Sequence, residues 1–111
     1  MQESDSKPLC IALIGGHMRN ARHLVERGRT AGWKIERHSG YLGGRGSKDL
    51  RSQIARADIV IITTQVNSHG SMFLAKEYAR RLGRFTTVIR REKFAELENA
   101  IIQFQKNSHQ G

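Results

Sequence analysis

The sequence has one cysteine, one proline and one tryptophan in its 111 residues. With Cys10 alone, no intramolecular disulfide can form, so packing must hold the fold. Inside an apolar run a lone thiol reads as a small buried hydrophobe rather than a nucleophile. No apolar stretch approaches the ~20 residues that cross a bilayer, which excludes a membrane-spanning helix. Met1 to Lys7 carries Glu3 and Asp5 and lacks the basic-then-apolar order of a signal peptide, so a cytoplasmic location is expected. Aromatics are scarce, at 6%. Trp33, Tyr41, Tyr78 and the four Phe are expected to serve mostly the core, leaving no stacking platform for bases. Acidic residues are also few. Ten Asp and Glu face nineteen Lys and Arg, for a net charge of +9, and thirteen of those bases are arginine. Such a field attracts polyanions, and guanidinium groups grip phosphate through paired hydrogen bonds.

What the chain does have is alternation. Leu9 to Ile14 is a continuous apolar run closed by Gly15-Gly16, the pattern of a strand buried on both faces. Met18 to Ala31 switches to helical spacing, with Met18, Ala21, Leu24, Val25 and Gly28 on one face, and Gly32 stops it. Trp33 to His38 alternates as a second strand. Ser39 to Ser47 is glycine-rich and must be a loop, followed by a helix from about Ser47 to Ala57. Asp58 to Thr64 is the clearest strand. Asn67 or Ser68 caps a helix running to Leu82 and Gly83. Phe85 to Ile89 makes a fourth strand, and Glu92 to about Gln105 a last helix. Strands alternating with helices predict a parallel sheet covered on both faces. The expectation is a small Rossmann-like three-layer α/β sandwich with strand order 2-1-3-4. Residues 1–8 would be a disordered leader, 9–105 the single domain and 106–111 a frayed tail.

In such sheets ligands sit beyond the carboxyl ends of the strands, at the switch point. That draws attention to four stretches. Gly15, Gly16 and His17 follow strand one, where glycine admits a ligand close to backbone and a helix start offers N–H groups to an anion. The dinucleotide fingerprint G-x-G-x-x-G fails here, so conventional nicotinamide binding is not expected. The run Gly43-Gly44-Arg45-Gly46-Ser47-Lys48 could nest an anion, with Arg45 and Lys48 adding charge; it lacks Walker A spacing. Asn67-Ser68-His69 follows strand three, with Ser68 as natural cap and His69 in the first turn, where the helix dipole disfavours protonation. Lys76 lies at i+7 from His69. Arg90 and Arg91 follow strand four.

His17, His38 and His69 would share one sheet edge, and three imidazoles can hold zinc. Without a close H-x-x-x-H pair that signal is weak, and neither a metal nor a cofactor is expected. The strand ends show His, Ser, Thr, Gln and Arg but no carboxylate, which disfavours two-metal hydrolysis. A Ser–His nucleophile pair would lack its orienting acid.

Ile14-Gly15-Gly16, His38-Ser39-Gly40, Ala57-Asp58-Ile59-Val60, Asn67-Ser68-His69, Lys76 and Arg90 together resemble the bacterial domain of unknown function 2325. The resemblance runs from Ile11 to Ala100, and its Ser-His…Lys element is the most specific part. This chain departs from the family pattern at Ser39 and Gln65, where Asp is usual, and at Val66 and Ala79, where Cys is often found. Those departures weaken a metal or redox role. The resemblance implies the fold and the site, and it assigns no activity.

The leading expectation is a domain that binds a phosphate-bearing ligand, either a nucleotide or a nucleic-acid backbone (DNA or RNA). It would use Gly15, Gly16, His17, His38, Gly40, Arg45, Ser47, Lys48, Asn67, Ser68, Lys76, Arg90 and Arg91. One alternative is a metal-free phosphoester or nucleotide hydrolase with His69 as catalytic acid or base. The other is a non-catalytic homodimeric interaction domain, pairing protects edge strands two and four.

Overall fold

The computed structural model describes residues 7–65 and 67–110. The expected leader up to Ser6, Val66 and the terminal Gly111 lie outside the described residues. Elements alternate strictly: β1 (Leu9–Ile14), α1 (Met18–Thr30), β2 (Trp33–His38), α2 (Gly46–Arg56), β3 (Ile59–Thr63), α3 (His69–Arg81), β4 (Phe85–Ile89) and α4 (Phe94–Gln110). The four strands form one sheet in the order β2-β1-β3-β4, and every neighbouring pair is parallel. The α/β class, the parallel pairing and the strand order are as the alternation predicts.

The sheet sorts its apolar residues by parity, as the two-residue period of a strand requires. Ile11, Leu13, Ile59 and Ile61 face one side, where they pack with Ala21 and Leu24 of α1 and with Leu97 and Ile101 of α4. Ala12, Ile14, Val60 and Ile62 face the other, against Leu50 and Ile54 of α2 and Ala75 and Ala79 of α3. Burial on both faces explains why β1 and β3 read as unbroken apolar runs. The register pairs Ile14 with both His38 and Ile62, and Ile62 with Val88. Four chain exits therefore leave the sheet at one level. That shared rim positions the site.

Three local readings change. α4 does not begin at Glu92; it starts at Phe94 and runs to Gln110. Lys106 to Gln110 contain no Gly or Pro to stop a helix, so the last element extends through them. Met18, expected on the buried face of α1, is 65% exposed; it is the first residue of that helix, whose buried positions begin at Ala21. The aromatics divide as well. Trp33 stacks on Phe94 with centroids 5.1 Å apart, and Phe85 meets Phe104 edge-on at 5.6 Å. Phe73 and Tyr41, by contrast, are 64% and 73% exposed. The expectation that the aromatics serve mostly the core fails at these two positions. α3 buries Ser71, Ala75 and Ala79, which fixes Phe73 on a different face, and Tyr41 lies in the loop.

Candidate functional site

The rim has two halves, because the chain leaves β1 toward one face of the sheet and β3 toward the other. The first half is the turn from β1 into α1. Gly15 and Gly16 both hold positive φ, at 94° and 88°. Gly16 N–H donates to the Gln65 carbonyl at 2.9 Å, and Arg37 Nη2 donates to the Gly16 carbonyl. At the helix start, His17 N–H donates to Glu92 Oε1 at 2.8 Å, and Asn20 Nδ2 donates to the same oxygen at 3.3 Å. Glu92 itself is anchored by its N–H, which donates to Gln65 Oε1 at 3.3 Å. A β-carbon at Gly16 would overlap the Glu92 carboxylate. Gly16 is thus the residue that lets the acid seat itself at the positive end of α1.

Glu92 corrects a firm expectation. The rim does hold a carboxylate, buried and delivered by the turn after β4. In sequence it reads as a first-turn helix acid, and its partner His17 lies 75 residues away. Its Oε2 is buried without a hydrogen-bond partner among the described residues. Glu96 performs a related task nearby, accepting from the N–H groups of Arg90 and Arg91 at 3.2 and 3.3 Å. Those two arginines keep exposed side chains at the β4 end of the rim.

The second half joins the β2–α2 loop to the start of α3. His38 is buried: Gly40 N–H donates to its Nδ1 at 3.0 Å, and its Nε2 meets the Gly46 carbonyl at 2.8 Å. One neutral tautomer, with the proton on Nε2, satisfies both contacts. The ring is a strut for the loop, with both nitrogens occupied. Asn67 closes the gap between β1 and β3, its Nδ2 donating to the Ile14 carbonyl at 3.2 Å and the Thr63 carbonyl at 2.9 Å. Its Oδ1 accepts from Ser68 N–H at 2.9 Å. Gly15 and Gly40 are both glycine at the point where Asn67 approaches them most closely. Ser68 is the cap of α3, as expected: its Oγ accepts from Ser71 N–H at 3.0 Å and reaches the Gly40 carbonyl at 3.3 Å.

Beyond this framework, side chains stand open. His69, Lys76, Arg45 and Lys48 are exposed, whereas Ser47 Oγ lies 3.4 Å from the Tyr78 hydroxyl. None of Arg45, Lys48 and Lys76 forms an ion pair among the described residues. The Gly43–Gly46 stretch turns on itself, Gly46 N–H donating to the Gly43 carbonyl at 2.9 Å. The strand exits that carry Gly15 to His17, His38 to Lys48, Asn67 to His69 and Arg90 to Arg91 leave the sheet at one level, whereas Lys76 lies two turns into α3. Gly15, Gly16 and His17 lie with Glu92. His38, Gly40, Arg45, Ser47, Lys48, Asn67, Ser68 and His69 belong to the β2 and β3 exits. Arg90 and Arg91 flank the β4 end.

Among the described residues no three His, Cys, Asp or Glu side chains cluster at metal-binding distance. A groove of about 320 Å³ opens at the other end of the sheet, between the starts of β1 and β2 and the end of α2, where Arg56 and Glu36 pair at 2.9 Å. It is remote from the rim. No helix among the described residues is long and apolar enough to cross a membrane.

Residues 10–104 match the model of a family described as "Uncharacterized protein conserved in bacteria (DUF2325)". The chain is also 34% identical over 74 residues to UPF0751 protein DSY3086 of Desulfitobacterium hafniense (strain Y51), covering 67% of this chain and 72% of that protein. No solved structure matches it. The matched span takes in all four strands and both halves of the rim, and the chain belongs to the DUF2325 family.

Proposed function

We propose that this protein is a cytoplasmic binding domain for a phosphate-bearing ligand, a nucleotide or a nucleic-acid backbone, held on the α2–α3 half of the rim. The observation that carries the proposal is the asymmetry of the two helix starts. The α1 start is already occupied by Glu92, so the dipole there meets an internal anion. At α3 the cap is a neutral serine, and the amides of His69 and Gly70 have no intrahelical acceptor by helix geometry. Arg45 and Lys48 at the start of α2 and Lys76 two turns along α3 add positive charge on the same side of the sheet, on a chain carrying +9. The anion site expected at Gly15-Gly16 thus moves to the opposite half.

Hydrolysis by His69 gains less support. Its ring makes no hydrogen bond among the described residues, and the one buried rim carboxylate is bound to α1. The test is thermal stability with a panel of nucleotides and oligonucleotides at low and high salt. Stabilisation that fades as salt rises is expected, and it should shrink in Lys76→Ala and Arg45→Ala. If no phosphate compound in the panel stabilises the protein at low salt, the proposal falls.

A further inference from the structure

We infer that the ligand is single-stranded nucleic acid, with unpaired bases stacked on Tyr41 and Phe73 and the backbone on Arg45, Lys48 and Lys76. This rests on the phosphate-binding proposal above and narrows it. With Met18, Tyr41 and Phe73 are the most exposed large hydrophobic side chains among the described residues, and these two belong to the β2–α2 loop and α3, the side that lacks an internal anion. Each is firmly mounted. Leu42, next to Tyr41, approaches Gly70 of α3, and Ser68 Oγ ties the first turn of α3 to the Gly40 carbonyl. Tyr41 N–H donates to Ser39 Oγ at 3.2 Å, and its ring lies against Gly43. On α3, His69, Phe73 and Lys76 recur at helical spacing and share one exposed face. Arg80 continues that line but is held by Glu77 at 2.8 Å.

Rigid aromatic faces set among unpaired cations are what unpaired bases on a charged backbone require. A duplex hides the faces of its bases and gains nothing from them. In a two-fold dimer through this face one cationic patch would meet another, and of the acids on α2 and α3 Glu77 is already held by Arg80 and Arg81, which leaves Asp49 to offset it. Charge therefore selects a polyanion, and the aromatics select one whose bases are open. Because every base has a stacking face, little sequence preference is expected.

The experiment is fluorescence anisotropy with four labelled probes of about 15 nucleotides, within the span such surfaces cover. They are single-stranded DNA, single-stranded RNA, the DNA duplex and an abasic strand with the same phosphates. Single strands should bind at least about tenfold more tightly than the duplex or the abasic strand. Tyr41→Ala and Phe73→Ala should each weaken single-strand binding by about tenfold and leave its salt dependence unchanged, while Phe73→Trp should retain it. Lys76→Ala should instead flatten the salt dependence by about one phosphate contact. Both aromatics are exposed, so unchanged melting temperatures are expected of their variants. Equal binding of duplex, abasic and single strands would overturn the inference while leaving the phosphate proposal standing. Failure of all four probes, with a dimer by light scattering that Phe73→Ala dissociates, would overturn it and assign the surface to a second copy.

Discussion

The starts of α1 and α3 follow adjacent parallel strands and emerge at one level of the sheet, yet they are finished in opposite ways. At α1 two positive-φ glycines make room for a carboxylate carried in from 75 residues away, and the helix dipole is satisfied from within. At α3 a local serine caps a single amide, and His69, Phe73 and Lys76 face outward, with Tyr41 exposed in the β2–α2 loop. Position in a doubly wound sheet therefore does not make a helix start a binding site. What decides is whether the chain has already supplied the anion.

The largest effect that would break this comparison is Gly16→Ala. The new methyl would be forced into a left-handed backbone conformation and into the Glu92 carboxylate, at a cost of at least about 3 kcal/mol. A fall in melting temperature of roughly 10 °C or more is expected. Gly44 also has positive φ, at 58°, but open space where a β-carbon would sit, so Gly44→Ala should cost only about 1 kcal/mol. Equal losses in the two variants would mean that Glu92 does not govern Gly16.

Next comes Glu92→Ala, which strands His17 N–H and the Asn20 amide and should cost about 1–3 kcal/mol in urea denaturation. Inorganic phosphate should then restore part of the loss, and stabilise the variant more than the wild type. Identical phosphate responses would sink the idea that α1 carries a masked anion seat.

The smallest effect concerns the outer face of α3. There the Arg80 hydrogen bond, with the charges of Arg80 and Arg81, holds the Glu77 carboxyl below its usual value against an opposing desolvation. A depressed carboxyl stabilises the fold above the unfolded-state value, and that contribution disappears as pH falls through the folded-state value. Glu77→Gln should therefore lower the melting temperature slightly at neutral pH and not at all in acid below the usual carboxylate range. A difference that persists there would point to packing rather than charge.

The fold was readable because its signals are local. Apolar runs such as Asp58 to Thr64 can only be central strands, Gly32 and Gly83 end helices, and Ser68 caps one three residues downstream. Half of the rim was readable for the same reason. The other half was hidden by distance: nothing near Glu92 announces His17, and nothing near Arg37 announces the Gly16 carbonyl. Exposure was equally invisible. Composition makes an aromatic look like core, and only the packing of Ala75 and Ala79 reveals that Phe73 faces outward.

Asn67 has a consequence for how anything can engage this surface. By bonding to the ends of both β1 and β3, its amide seals the slot into which many sheets of this type admit a small molecule. A ligand bound as proposed would lie on the outside, partly hydrated and with neither end enclosed. Its length would not be limited by the walls of a chamber, and its release would require no opening movement.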